Sequence, residues 1–143
     1  MTLSRVTVRR DIDAPPEEVF DAWLDPPCLA VWMRPDGAAL STATVDPREG
    51  GRFEVVMHGA KESIVHTGVY RLIDRPNRLV FTWISPATHH TESLVTVEFH
   101  AHDCATLVIV THEQLPGEDA VPSHTKGWTN ALDLLSQAVG RLP

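Results

Sequence analysis

Cysteine is scarce in this 143-residue chain: Cys28 and Cys104 are the only two, and they form no CxxC pair. A disulfide framework is therefore excluded as the device that holds the fold, and both thiols read as reduced packing residues. Basic residues are also few. Lys and Arg total 12 against 19 acids, giving a formal net charge of −7, and Arg9-Arg10 is the only adjacent basic pair. Phosphate-rich partners need concentrated positive charge, so nucleic acid is excluded as a partner. No apolar run approaches the roughly 18 residues of a membrane span, and residues 1–10 lack the apolar centre of a signal peptide. A cytoplasmic protein without a membrane partner is expected. No GxSxG elbow, dinucleotide fingerprint or P-loop occurs. His112-Glu113-Gln114-Leu115-Pro116 starts like a zinc helix but has Pro116 where the second ligand belongs, so neither metal nor cofactor is expected.

What the chain does have is an ordinary hydrophobic share of 43%. At this length that supports one domain over residues 1–143, with a sizeable core. Residues 4–12 read as a first strand. Asp13 to Glu18 reads as a helix start, with Asp13 as capping carboxylate and prolines near the first helical position. Val19/Trp23 and Phe20/Leu24 are i,i+4 pairs that put an apolar stripe on this helix. Pro26-Pro27 interrupts it, and a short second helix through Leu29 and Trp32 stops before Pro35.

From Leu40 the pattern turns to period two. Strands are predicted near 40–46, 52–58, 63–73, 78–85, 92–101 and 104–113, separated by Gly, Pro, Asn and Asp clusters, with Leu115-Pro116-Gly117 ending the run. Consecutive strands with short turns make an antiparallel meander. A final helix is predicted from between Asp119 and Ser123 to about Arg141, with Trp128, Leu132, Leu135, Val139 and Leu142 on one face. Strands segregated from helices make the class α+β, and a curved sheet around one long helix makes a container shape.

Five segments carry a resemblance: 10–35, 50–59, 67–83, 93–116 and 124–142. Their most specific pieces are Arg10-x-Ile12-x-Ala14-Pro15, the run from Pro76 to Trp83, and Gly127-Trp128. Together they resemble the SRPBCC, or START-like, superfamily, and within it the small bacterial homologues of the activator of the ninety-kilodalton heat-shock protein's ATPase. The resemblance implies the helix-grip fold, a curved antiparallel sheet of about seven strands around a long C-terminal helix, with a cavity between them for apolar ligands. A chaperone role is not carried over on the family's name alone.

Alternation places Phe53, Val55 and Met57 on one strand face, Leu79, Phe81 and Trp83 on another, and Val95, Val97 and Phe99 on a third. If these faces meet the last helix, Trp32, Phe53, Met57, Tyr70, Trp83, His112 and Trp128 are the candidate binding residues for a small hydrophobic or aromatic molecule. The alternative for the same residues is a filled core. His112 shares a face with Val108 and Val110 and is expected to look inward, as a polar anchor, a general base or a satisfied interior histidine. His100 is expected to face solvent and His89-His90 to lie in a loop. Cys28 follows Pro27 near a helix start, where the helix N-terminus would activate its thiol and burial would oppose that. Gly127 is expected to let the last helix approach the sheet closely. Two further readings stay open: an interaction module for a chaperone, another protein or a second copy of the chain, and a cofactor-free cyclase-like or hydrolytic enzyme pairing His112 with a carboxylate or tyrosine. No catalytic residue is assigned.

Overall fold

The computed structural model describes residues 3–35, 37–59 and 61–139. The elements run β1 (Leu3–Ile12), α1 (Pro16–Asp21), α2 (Pro26–Trp32), β2 (Thr42–Val45), β3 (Arg52–His58), β4 (Ser63–Asp74), β5 (Arg78–Trp83), a 3-10 turn (Pro86–Thr88), β6 (Ser93–His102), β7 (Ala105–Pro116) and α3 (Ala120–Val139). The predicted end of the last helix, with Arg141 and Leu142, lies outside the described residues.

The seven strands form one antiparallel sheet in the order β1-β7-β6-β5-β4-β3-β2. Every strand from β2 onward pairs with its successor in sequence, and β1 closes against β7, so the meander expectation stands. Register shifts interrupt the ladder between Ser4 and Val6 on edge strand β1 and between Tyr70 and Leu72 on interior strand β4, where such irregularities bend a strand and increase its twist. Gln114 adopts a φ of 63° beside the first of these shifts, and β7 continues past it to Pro116 instead of stopping near residue 113. The sheet grips α3, with α1 and α2 covering the rest of its inner face, and this is the helix-grip fold. Among the described residues no helix is long and apolar enough to cross a membrane.

Two local expectations are corrected. Pro15, not Asp13, caps α1, and no side chain supplies a capping bond there. The helix also ends at Asp21 instead of running through Leu24; Trp23 and Leu24 instead donate to Phe20 and Asp21 in tight i→i−3 turns. Pro26 keeps these turns from continuing into α2 as one helix, because a residue before proline is driven out of the helical region. Asp25 accordingly sits at φ −102°, ψ 110°.

The inner face is built from cross-strand rows. Tyr70, Phe81, Val95, His112 and Val6 stand opposite one another across five strands. Gly68 stands opposite Phe53, and a Cβ there would run into the Phe53 ring and the Thr82 carbonyl. The missing side chain lets the ring lie flat across β4. Beneath α1 and α2 the core is filled by aromatics: Trp23 packs against Trp32 at 4.6 Å and Phe99 at 6.2 Å between ring centroids, and Phe20 meets Phe99 at 5.0 Å.

Candidate functional site

The space between sheet and helix is not filled evenly. Between α3 and strands β3 to β5 the structure leaves a cavity of about 440 Å³. Trp83 from the sheet and Trp128 from α3 form its apolar wall, with ring centroids 5.5 Å apart. Met57, Met33 and Ala131 continue the apolar surface. Pro35, Ala87, Ser123, Lys126 and Gly127 line the same cavity yet are exposed, so they form its open rim. A second void, about 10 Å³, lies deeper, among Trp23, Phe53, Val55, Tyr70 and Phe81. That is room for about one water. The Trp23 indole nitrogen, buried and without a partner among the described residues, belongs to this void's lining residue.

His112 is fully buried behind the wall, and its proton can be placed from its neighbours. The Trp128 indole N–H donates to His112 Nδ1 at 3.0 Å, so Nδ1 carries a lone pair. The ring's proton then sits on Nε2, which donates to Ser93 Oγ at 2.7 Å. Ser93 passes its own proton on to the Trp83 carbonyl at 2.7 Å. Each donor has an acceptor, and the chain ties helix to sheet behind both tryptophans. Protonating Nδ1 would set two donors against each other. Burial and the nearby His124 push the His112 pKa down to about 3, in the same direction. His112 is a neutral positioning residue with no lone pair to spare for a base's work.

Two other histidines do line the cavity. His66 is buried on β4, meets Trp83 in a tilted contact at 5.0 Å between ring centroids and directs Nδ1 at the Val55 carbonyl. Burial lowers its pKa. His124, on α3, donates Nδ1–H to the Ala120 carbonyl at 2.7 Å, and its Nε2 has no partner among the described residues. Ser85 Oγ is buried at the cavity's edge and likewise has no partner among them. Asn130 anchors the mouth by donating to the Arg34 carbonyl at 2.8 Å. Among the described residues no three His, Cys, Asp or Glu side chains converge as a metal site.

Of the seven candidate binding residues, Met57, Trp83 and Trp128 line the large cavity, while Phe53 and Tyr70 line the small void. Burial and the Asp46 carboxylate hold the Tyr70 hydroxyl well above its ordinary range. Trp32 is buried with its N–H on the Ala22 carbonyl and, like His112, backs the site from the core without lining either space. Sequence reasoning missed Trp23, His66, His124, Ser85 and Ser93. His66 lies four residues before Tyr70 on the same strand face, and His124 lies one helical turn before Trp128, so periodicity could have found both. Ser85 lies past the end of β5 and carried no such signal. Two expectations change. Gly127 does not serve close approach: nothing lies within 4 Å of where its Cβ would stand, and it opens the rim. Cys28 is not activated, because burial and Asp25 raise its thiol pKa. His100 does face solvent, paired with Glu98, and His89 and His90 turn through left-handed φ values of 56° and 58°.

The comparisons with known proteins agree with the fold. Protein CV1439 from Chromobacterium violaceum superposes with a TM-score of 0.79 at 25% identity, over 97% of this chain and 99% of that one. Protein MLL2253 from Mesorhizobium loti gives 0.81 at 21% identity, over 98% and 99%. CalU16 from Micromonospora echinospora gives 0.72 at 24% identity, over 96% and 83%. These are likenesses of fold. No curated protein matches the sequence. Residues 13–140 match the family described as Activator of Hsp90 ATPase homolog 1-like protein, and the chain belongs to that family, within the SRPBCC superfamily.

Proposed function

We propose that this protein binds a small, largely apolar molecule in the cavity between β3–β5 and α3. The observation that carries this reading is an open cavity of about 440 Å³ walled by Trp83 and Trp128. Ligand sites are commonly about 300–1,000 Å³, mostly apolar, with a few placed polar groups. The chain's fold is one that generally accommodates hydrophobic ligands, which supports the same reading. Met57, Trp83 and Trp128 would touch the ligand. Trp32, Phe53, Tyr70 and His112 would hold that surface in shape from behind. The enzymatic alternative loses its base, since His112 is neutral with both ring nitrogens committed.

Apolar burial supplies roughly 25 cal/mol per Å² removed from water, less the costs of association, so micromolar affinity is expected for a small ligand. The test is a fluorescence titration with N-phenyl-1-naphthylamine, a neutral aromatic probe, alongside native mass spectrometry for a retained molecule. Tryptophan emission should shift and saturate. Ala131→Phe, which projects a ring from α3 into the space, should abolish the response while keeping the urea midpoint. A parent protein that never responds, with Ala131→Phe destabilised by about 1–3 kcal/mol as in an overpacked core, would overturn the proposal.

A further inference from the structure

The cavity is polarised in a way its apolar wall does not require. The chain as a whole carries a net charge of −7. Yet the cavity lining among the described residues holds no carboxylate; its ionisable groups are Arg34, Lys126, His66 and His124. Two further features make this more than a scatter of charge. Asn130 holds the Arg34 backbone against α3, and Lys126 stands one turn before Asn130 on that helix, so both cations flank one stretch of the rim. Gly127, beside Lys126, leaves that stretch uncovered.

Inside the rim, two polar groups lack partners among the described residues. Ser85 Oγ is buried without one, and His124 Nε2 faces the cavity with none, its ring having spent its Nδ1–H on a backbone carbonyl. A buried polar group left unmet is costly, so a ligand that supplies a partner gains selectively. A carboxyl group meets His124 Nε2 in either proton state: as an acid it donates to the lone pair, and as a carboxylate it accepts from the protonated ring. Arg34 and Lys126 favour its charged form, and Ser85 can donate to its second oxygen.

We infer that the ligand is an acidic amphiphile: an apolar or aromatic body seated against Trp83 and Trp128, and a carboxylate head met by Lys126, Arg34, His124 and Ser85. The inference rests on the binding proposal above and names the ligand class for that cavity. The Arg34 guanidinium is held at the rim by donating Nε to the Val31 carbonyl at 2.7 Å and Nη1 to the Ala38 carbonyl at 2.6 Å, so its Nη2 and its charge are what it offers a ligand. A neutral apolar molecule would fill the same wall but leave the two unmet groups, Lys126 and that charge unused.

The experiment compares decanoate with decan-1-ol as displacers of bound N-phenyl-1-naphthylamine, at neutral pH and low salt. The acid should displace the probe at a concentration at least ten-fold lower than the alcohol. The ratio should fall towards one in Lys126→Gln and invert in Lys126→Glu. Both substitutions are at an exposed helix position and should leave the fold intact. Arg34→Gln should lower the ratio as well, whereas Arg9→Gln, an exposed cation on β1, should preserve it. Equal displacement by acid and alcohol, or a ratio indifferent to Lys126, overturns the acidic head and leaves the apolar cavity standing. Failure of the probe itself to bind overturns both.

Discussion

The two ends of the sheet–helix interface are made of the same residue types and end differently. Under α1 and α2, Trp23 and Trp32 meet edge to face at 4.6 Å and leave a void of only about 10 Å³. Beside the first half of α3, Trp83 and Trp128 stand 5.5 Å apart and border about 440 Å³. Trp128 belongs to both regions, stacking on Trp23 at 6.0 Å on one side and lining the cavity on the other. What differs is the cover. Two short helices press side chains onto one part of the sheet, while the other part is covered only by one face of α3 and a rim of small or exposed residues. Whether an apolar sheet face becomes core or cavity is set by what is laid across it.

The largest test of that contrast is to remove one large side chain from each region. Trp32→Ala should cost about 3–5 kcal/mol in urea unfolding, because the packed side cannot collapse around so large a hole and the Ala22 carbonyl loses its donor. Met57→Ala, half-buried at the cavity wall, should cost about 1 kcal/mol or less, since the space it leaves joins one already open. Equal losses at the two positions would mean that the cavity side is packed as tightly as the other.

A second test concerns the hydrogen-bonded chain that separates the regions. His112 has its folded pKa depressed to about 3, so between that value and its unfolded pKa the unfolded chain binds a proton that the native state does not. Its contribution to stability is therefore complete above about pH 6.5 and is lost as pH falls through the window. Lowering the pH from about 7 to about 5 should cost about 2 kcal/mol from His112 alone. The lowered pKa of His66 adds in the same direction. In His112→Gln, which keeps an acceptor for Trp128 and a donor for Ser93, the pH slope should shrink by that amount whatever happens to absolute stability. An unchanged slope would mean that His112 titrates normally and that the chain of donors is directed differently.

The sequence made the sheet, its order and the inward direction of His112 legible, because period two and short polar turns specify an antiparallel meander and assign every side chain to a face. It could not separate Phe53 and Tyr70, beside the small void, from Met57 and Trp83, at the cavity. All four share the inner face, and only the placement of the covering helices divides them. Local chemistry misled in two places. Asp13 is a good capping residue, but Pro15 and Pro16 set the helix start first. Gly127 beside Trp128 suggested close packing, whereas the glycine points where no side chain stands. His124 was readable in principle, since it precedes Trp128 by one turn on the buried face of α3. Ser85 was not, because its burial depends on a 3-10 turn that folds over the end of β5.

The smallest expected effect sharpens the comparison at a single atom. Gly68 and Gly127 both face the interface between sheet and helix, one in each environment. A methyl on Gly68 would meet the Thr82 carbonyl and the Phe53 ring, so Gly68→Ala belongs with the overpacked cores. A methyl on Gly127 would meet nothing within 4 Å, and the position lies inside α3 without a left-handed backbone. Glycine in a helix interior is less favourable than alanine by about 0.8–1.0 kcal/mol, chiefly through the freedom it keeps in the unfolded chain. Gly127→Ala should therefore stabilise the protein by up to about 1 kcal/mol, read as a raised urea midpoint with an unchanged slope. Larger residues at the same position should keep that midpoint while progressively closing the rim, so that Gly127→Phe slows or prevents entry of the naphthylamine probe. A loss of stability in Gly127→Ala would show that α3 lies against the sheet at this turn, and that the two regions are filled alike.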